Sequence, residues 1–308
     1  MIYTVTLIPA LDKTLTIDGF AAGKVNRVKA VRLDPGGKGI NVSKTVKALG
    51  GESVAMGILG GDTGTYIERA LKAMGIACRF VRSNAETRTN IKINDPIAGT
   101  TTDINEPGGI DAHEAAQLLE CLLSSVHSGD IVALAGKMDT NAVDVPLWIN
   151  EIQARGAKAF LDTEGEALKS GASAAPFLIK PNEYEFRYLT GAKDADIDDL
   201  IASARSYAAS SGIEFIALSL GENGAALISG GKCLVAKALS VPVVSTVGAG
   251  DSMMAALCYA FDKGISFEDA ARLAVASASA AVGCPGTLSP SREQINALIN
   301  RIEIRRIT

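Results

Sequence analysis

The chain has 308 residues, of which 47% are hydrophobic and 21% charged, and its formal net charge is −4. This length can bury one large core, alone or with a small appendage, and the acidic balance argues against nucleic acid as the main partner. No apolar run reaches membrane-spanning length, and five scattered cysteines favour reduced thiols in the cytoplasm over a disulfide framework or a zinc site.

Short apolar runs alternate with segments of 3.6-residue periodicity along most of the chain. The predicted strands are Val5–Ile8, Val54–Leu59, Ile131–Ala135, Lys158–Leu161, Phe177–Ile179, Phe215–Leu220 and Ala226–Ile228. The predicted helices lie near 39–50, 64–74, 112–126, 143–154, 197–211, 251–263, 267–282 and 291–302. This order is typical of a mostly parallel sheet covered by helices on both faces, whose ligands collect at the carboxyl ends of the strands.

Two threonine-rich segments interrupt this alternation and predict short β-hairpins. One hairpin pairs Lys13–Phe20 with Val28–Leu33, and the other pairs Thr87–Asn94 with Thr101–Asn105. Alternating apolar residues give each hairpin one apolar face, and a small sheet of this kind is not stable alone in water. The hairpins therefore either form one small sheet that covers another surface or a copy of itself, or are two unrelated surface hairpins.

A glycine-rich turn, Asp34–Val42, opens the first predicted helix. Its three glycines allow the main chain to lie against a polar ligand, because a glycine has no Cβ. Within the turn, Lys38 supplies a cation and Asn41 supplies an amide that both donates and accepts hydrogen bonds. Taken alone, the turn is also compatible with an ordinary helix start and a solvated lysine.

A second turn, Ser245–Met253, follows a β-branched run and opens a helix predicted near residue 251. Free N–H groups and the positive dipole end of a helix start favour an anion. A carboxylate held at such a site, here Asp251, suits a base that deprotonates a nucleophile in phosphoryl transfer. The alternative is an ordinary turn in which Asp251 caps the helix. The turn is neither a P-loop nor a dinucleotide fingerprint, because Met253 replaces the third glycine, and this disfavours a dehydrogenase.

Together, Gly-Gly-Lys-Gly-Ile-Asn-Val at 36–42 and Ser-Thr-Val-Gly-Ala-Gly-Asp-Ser at 245–252 resemble the two signatures of the ribokinase-like sugar kinases. Within these, the pair resembles the phosphofructokinase B group, which includes 1-phosphofructokinases and tagatose-6-phosphate kinases. The resemblance spans essentially the whole chain. Its further matches are Val25–Arg27, Thr87–Asn90, Asp162–Thr163, Gly165–Leu168, Lys180–Glu185 and Ser219–Gly221.

The resemblance implies a ribokinase-like three-layer α/β/α fold with a mostly parallel central sheet and a small β-sheet lid over the sugar. The large nucleotide- and substrate-binding domain is expected to comprise residues 1–10, 36–86 and 107–308. The lid is expected to comprise residues 11–35 and 87–106. In such kinases the lids often contact one another in a dimer, and we therefore expect a homodimer formed through the lid.

By the same resemblance, Asp251 is the expected base for the sugar hydroxyl, and the backbone at Gly248, Ala249 and Gly250 forms the expected anion hole. The residues predicted to contact the sugar phosphate are Asp12, Lys24, Arg27, Gly37, Lys38, Asn41, Arg88 and Lys137. The residues predicted to contact ATP are Lys180, Asn182, Ser219, Gly221, Gly224, Gly283 and Gly286. Asn182 and Glu185 resemble the pair that holds Mg²⁺ through water, an ion that takes few protein ligands.

Three positions depart from the family pattern. Ile8 stands where an asparagine is usual, Lys137 where a serine that touches the substrate phosphate is usual, and Glu164 where a small hydroxyl residue is usual. Lys137 either supplies a stronger charge to the phosphate or points away from it. These departures concern the sugar site, whereas the phosphoryl-transfer motif is intact.

The resemblance thus implies an ATP- and Mg²⁺-dependent kinase that converts a phosphorylated ketohexose to a hexose 1,6-bisphosphate. Fructose 1-phosphate is the first choice of substrate, and tagatose 6-phosphate and fructose 6-phosphate are the alternatives. The motifs leave open which end of the sugar binds the phosphate pocket. A hypothesis from a different class is a sugar-phosphate sensor whose kinase activity has faded, and the departures at Ile8 and Lys137 motivate it.

Overall fold

The computed structural model describes residues 1–192 and 196–307. Its strands are β1 (Ile2–Thr6), β2 (Ala10–Thr16), β3 (Ala30–Gly36), β4 (Ser53–Gly60), β5 (Ala77–Ser83), β6 (Thr89–Asp95), β7 (Thr100–Asn105), β8 (Ile131–Ala135), β9 (Lys158–Asp162), β10 (Leu178–Ile179), β11 (Phe215–Ser219), β12 (Ala225–Ser229), β13 (Lys232–Ala236) and β14 (Ile304–Ile307). Its α-helices are α1 (Lys38–Ala48), α2 (Gly61–Ala73), α3 (Ala112–Leu123), α4 (Val145–Ala154), α5 (Gly165–Ser173), α6 (Glu183–Thr190), α7 (Ile197–Ser211), α8 (Ala249–Asp262), α9 (Phe267–Val282) and α10 (Arg292–Ile299).

The larger sheet has ten strands in the order β14-β13-β12-β11-β10-β9-β8-β1-β4-β5. From β5 to β11 every neighbouring pair is parallel, and β12, β13 and β14 add an antiparallel edge. The carboxyl ends of the parallel strands therefore lie along one edge of the sheet. Asp162 ends β9 at this edge, and Lys180 follows β10 there, so these two motifs lie where a sheet of this kind is expected to collect its ligands.

The central strands are apolar at consecutive positions because they are buried on both faces. In β8, for example, Val132 and Leu134 belong to the core under helices α3 to α7. Ile131 and Ala133 point the other way, into the core formed with α1, α8, α9 and α10. Helices thus cover the sheet on both sides, which confirms the predicted three-layer α/β/α architecture.

The two predicted hairpins form one four-stranded sheet, ordered β3-β2-β6-β7 and joined by parallel pairing of β2 with β6. Side chains alternate between its faces. Leu15 lies between Val31 and Ile93 on one face, whereas Asp12 lies between its neighbours in β3 and β6 on the other. The alternative of two unrelated surface hairpins is therefore wrong. The division of the chain into lid and large domain at the stated residues stays a prediction.

Several elements differ from their predicted positions. Helices α5 and α6 and strands β5, β13 and β14 lie outside the predicted segments, because they are short or carry charged residues among the apolar ones. The first strand is Ile2–Thr6 rather than Val5–Ile8. The β-branched run before the late glycine turn forms no strand, and its Val243 and Val244 are exposed. Within the described ranges, no helix combines the length and apolar character needed to cross a membrane.

Candidate active site

The start of α8 is open to a ligand. Gly248 precedes the helix with φ of 86°, a left-handed conformation that favours glycine. No side chain of the described residues caps this helix start, so its first N–H groups have no intrahelical partner. A Cβ built on Gly250 would lie only 3.3 Å from Nζ of Lys180. Backbone donors, the helix dipole and an ammonium group therefore meet at one point, which is suited to a phosphate.

Asp251 lies in the first turn of α8 and is 8% exposed. Its Oδ2 accepts a hydrogen bond of 2.8 Å from Nδ2 of Asn41. Burial raises the pKa of Asp251, and the nearby Asp162 raises it further, against the opposing effects of Asn41 and two lysines. A buried carboxylate with a raised pKa at an anion site has the properties of a general base. Because Gly248 is the N-cap and Asp251 does not cap the helix, the capping alternative is wrong.

One buried carboxylate holds two lysines beside this helix start. Nζ of Lys38 donates to Oδ1 of Asp162 at 3.1 Å, and Nζ of Lys180 lies 3.0 Å from Oδ2. Burial alone would raise the pKa of Asp162, but Lys180 and Lys38 hold it below its usual range. In return, the charge of Asp162 raises the pKa of Lys38. The group has one more positive than negative charge and can stabilise the oxygens of a polyphosphate.

Asp12 presents a polar surface on the small sheet. Its Oδ1 accepts from Nδ2 of Asn90 at 3.0 Å, and its Oδ2 accepts from Oγ1 of Thr287 at 3.4 Å. Nζ of Lys92 lies 3.7 Å from Oδ2. Oδ1 of Asn90 is buried without a partner among the described residues. This mixture of donors and acceptors is suited to a polyhydroxylated ligand.

Arg88 is held at the edge of the same surface. Its Nη1 donates to the carbonyl of Glu106 at 3.3 Å, and its Nη2 donates to the carbonyl of Ile8 at 3.4 Å. Its buried Nε has no partner among the described residues. Ile8 therefore contributes its backbone carbonyl to this site, a contact that does not depend on its side chain. The guanidinium is fixed in place and keeps a donor for an incoming anion.

Three of the predicted phosphate-binding cations lie apart from these contacts. Lys24 and Arg27 are exposed in the turn between β2 and β3. Lys137 is also exposed, and it follows Gly136, whose Cβ would lie 3.7 Å from the side chain of Lys38. In the part of the chain that the structure describes, no hydrogen bond or ion pair joins these three side chains to the cluster. Their roles stay predictions.

The predicted metal ligands form the start of α6. Oδ1 of Asn182 accepts from the N–H of Glu185, and Oε2 of Glu185 accepts from the N–H of Asn182, both at 2.8 Å. This reciprocal capping box fixes both side chains. Burial raises the pKa of Glu185. Ser219 of β11 forms a parallel bridge with Asn182, so three predicted ATP- or metal-binding residues are neighbours.

The remaining predicted glycines lie at helix ends and in turns. Gly37 precedes α1, and a Cβ there would lie 2.5 Å from Cγ2 of Thr6. Gly221 and Gly224 border the short turn after β11. Gly283 ends α9, and Gly286 lies beside Arg32 of the small sheet.

Four residues of the site were not predicted to have a role: Asp162, Asn90, Lys92 and Thr287. The sequence pattern could have indicated Asp162, because this residue ends a buried strand next to the one that leads to Lys180. Asn90 and Lys92 carry a weaker signal, since they share one face of β6. The contact of Thr287 with Asp12 joins positions 275 residues apart and has no signal in the sequence pattern.

The chain is similar to known carbohydrate kinases in both sequence and fold. A family model described as "pfkB family carbohydrate kinase" matches residues 5–294. The chain is 36% identical to the 1-phosphofructokinase of Rhodobacter capsulatus, covering 99% of this chain and 97% of that protein, and 33% identical to that of Escherichia coli strain K12, covering 98% and 97%. The structure of Escherichia coli phosphofructokinase-2 in complex with fructose-6-phosphate superposes with a TM-score of 0.90 at 27% identity, over 97% of this chain and 98% of that chain. The chain therefore belongs to the pfkB family of carbohydrate kinases.

Proposed function

We propose that this ATP-dependent phosphotransferase is a 1-phosphofructokinase, which converts fructose 1-phosphate and ATP to fructose 1,6-bisphosphate and ADP. The observation that carries the transfer chemistry is the buried Asp251, bonded to Asn41 beside the uncapped start of α8. The choice of sugar is supported by the relatives at 33% and 36% identity that are named 1-phosphofructokinase.

In the proposed reaction, Asp251 accepts the proton of the C6 hydroxyl as that oxygen forms a bond to the γ-phosphorus. The bond from the γ-phosphorus to the bridging oxygen of ADP breaks at the same time, and ADP leaves. The N–H groups of Ala249 and Gly250, together with Lys38 and Lys180, stabilise the charge on the transferred phosphoryl oxygens. The backbone conformation at Gly248 directs these N–H groups at the ligand.

The sugar phosphate is proposed to lie between the small sheet and α8. Asp12 and Asn41 bind its hydroxyl groups, with Gly37 allowing close approach. The phosphate already on the sugar binds Arg88, whose buried Nε has no partner among the described residues. Lys24, Arg27 and Lys137 are further proposed phosphate contacts.

ATP is proposed to lie along the ends of β10 and β11. The nucleotide contacts proposed are Lys180, Asn182, Ser219, Gly221, Gly224, Gly283 and Gly286. Glu185 fits Mg²⁺ held through water, because it gives one carboxylate oxygen to the capping box and keeps the other for a water ligand. The single amide oxygen of Asn182 accepts within the capping box and has one lone pair left for such a water. When bound, the ion neutralises phosphate charge.

A second candidate is a kinase of a 6-phosphorylated ketohexose. It is favoured by the similarity to phosphofructokinase-2, whose structure contains fructose-6-phosphate. We also propose a homodimer through the lid, supported by the exposed Val31, Leu33 and Ile104 on the apolar face of the small sheet. A tetrameric inhibited form is known for phosphofructokinase-2 of Escherichia coli. The five cysteines are free, which supports the proposed cytoplasmic location.

The test is ADP release from the purified protein with Mg²⁺-ATP and fructose 1-phosphate, followed by ³¹P NMR of the product. The proposal predicts ADP formation that depends on the sugar phosphate, with the new phosphate on C6. A product phosphorylated elsewhere would contradict the assignment of the sugar. Thermal stabilisation by the sugar phosphate without any ADP would instead support the sensor hypothesis.

A further inference from the structure

Lys44 is a cation that the proposed reaction does not use. It lies on α1, one turn after Asn41, and its side chain extends towards the small sheet. Its Nζ donates to the carbonyl of Pro35 at 2.9 Å and to the carbonyl of Thr287 at 3.3 Å. Both of these acceptors are neutral carbonyl groups, and among the described residues no carboxylate pairs directly with the ammonium.

The two carbonyls belong to segments that must be held together for the site to exist. Pro35 lies at the end of β3, where the small sheet joins α1. Thr287 lies beyond α9, and its hydroxyl donates to Oδ2 of Asp12. A Cβ on Gly248, at the start of α8, would lie 3.7 Å from Cα of Thr287. Lys44 therefore joins the base of the lid to the segment around Thr287. That segment contacts both Asp12, the carboxylate proposed to bind the sugar, and the anion site at the start of α8.

The ammonium lies among charged groups from every element around it. Burial lowers the pKa of Lys44 to about 8, although Asp34 of β3, Asp12 of β2 and Asp251 of α8 each act to raise it. Lys92 of β6 also lowers it. A charge that burial disfavours to this extent costs folding stability, which an apolar side chain of similar length would not. Costly charges of this kind are typical of functional sites.

We propose that Lys44 is a positioning residue, whose ammonium holds Pro35 and Thr287 together so that Asp12 and the start of α8 face the same sugar phosphate. Hydrogen bonds from a charged donor are about twice as strong as those from a neutral one. Loss of the proton therefore loosens the lid at its base. This inference rests on the proposed function only in taking a sugar phosphate as the acceptor.

The test compares Lys44→Met, which removes the ammonium but keeps much of the side-chain volume, with Lys47→Met on the exposed side of the same helix. At pH 7, Lys44→Met is expected to lower kcat/KM for the sugar phosphate by about 10- to 100-fold, the order expected for a lost charged hydrogen bond. KM for ATP is expected to stay close to the native value, and the melting temperature is expected to lie at or above the native one, because the costly buried charge is removed. Lys47→Met is expected to leave all of these unchanged.

The pH profile separates positioning from packing. The Lys44 ammonium is present below a pH of about 8 and is lost above it, so native kcat/KM for the sugar phosphate should fall as the pH rises through 8. Lys44→Met should be low and flat across this range, and Lys44→Arg, which stays charged, should lose the alkaline fall. The Lys44→Arg profile decides the matter if Lys44→Met fails to fold. The proposal would be overturned if kcat/KM still fell above pH 8 in both variants as it does in the native enzyme. It would also be overturned if Lys44→Met had the same kcat/KM as the native enzyme.

All measurements use the sugar phosphate that the native enzyme turns over fastest. If the proposed sugar is wrong, the native enzyme itself has a higher kcat/KM for another sugar phosphate. If Lys44 has no positioning role, the native enzyme and the Lys44 variants have the same kcat/KM and the same pH profile.

Discussion

The sharpest consequence of the site is the effect of Asp251→Asn. The substitution removes the negative charge but keeps an oxygen that can accept from Nδ2 of Asn41, where the native bond is 2.8 Å. Helices α1 and α8 therefore stay joined. What the variant loses is the ability to take a proton from the sugar hydroxyl.

A positioned general base contributes about 10²- to 10⁴-fold to a rate. At about 1.36 kcal/mol for each factor of ten, the barrier should rise by about 2.7 to 5.4 kcal/mol. We therefore expect kcat to fall by this factor, while KM for ATP stays near the native value. The anion hole remains, so residual turnover above the uncatalysed rate is expected.

The stability of the variant provides an independent check. Burial raises the pKa of Asp251 in the folded protein, so the native state binds more protons than the unfolded state between the usual and the raised pKa. Stability therefore falls as the pH rises through this window, and at neutral pH the charged carboxylate is a cost. Asp251→Asn should melt at or above the native temperature. The acidic fall of native kcat, caused by protonation of the base, should be absent from the variant.

The assay is ADP release at saturating Mg²⁺-ATP and sugar phosphate from pH 5 to pH 9, with melting temperatures measured in parallel. Asp262→Asn is the matched control, because Asp262 lies on the same helix and pairs with the N-terminal ammonium far from the site. The control should retain native kcat. A variant Asp251→Asn with kcat within threefold of native, at an unchanged melting temperature, would refute the role of Asp251 as the base.

Three further predictions concern the cations and the metal pair. Arg88→Ala should raise KM for the sugar phosphate by about 10- to 100-fold, as expected for lost charged hydrogen bonds, and leave KM for ATP unchanged; equal effects on both substrates would contradict the phosphate contact. Asp162→Asn releases Lys38 and Lys180 and should lower kcat/KM for ATP by at least about tenfold, measured by ADP release; a loss confined to the sugar phosphate would contradict this. Glu185→Gln can keep the capping box of α6 but supplies no charged oxygen, so half-maximal activity should need more Mg²⁺; an unchanged Mg²⁺ titration would remove Glu185 from the metal site.

The sequence pattern predicts those parts of the site that lie at junctions between elements. Both glycine turns stand directly before a helix. Asp162 ends one buried strand, and Lys180 directly follows the next. Because parallel strands place their carboxyl ends at one edge, the order of elements was enough to bring these residues together. The two hairpins were predictable from their alternating apolar residues, whereas their union in one small sheet followed only from the family resemblance.

Contacts between residues far apart in the chain cannot be predicted from the sequence pattern in this way. The hydrogen bond between Asn41 and Asp251 joins positions 210 residues apart, and it depends on the packing of α1 against α8. Lys44 has the pattern of a solvated helical lysine, and it becomes enclosed only because Pro35 and Thr287 fold over it. Such burial is a product of tertiary structure, which local periodicity does not encode.

The most direct test of the account is kcat/KM of the native enzyme for fructose 1-phosphate, fructose 6-phosphate and tagatose 6-phosphate with Mg²⁺-ATP. Each tenfold preference corresponds to about 1.4 kcal/mol of differential transition-state binding. The account predicts that fructose 1-phosphate exceeds the other two by at least about tenfold, which is the discrimination expected of one well-placed phosphate contact. A higher kcat/KM for either 6-phosphate, or no ADP release with any of the three, would contradict it.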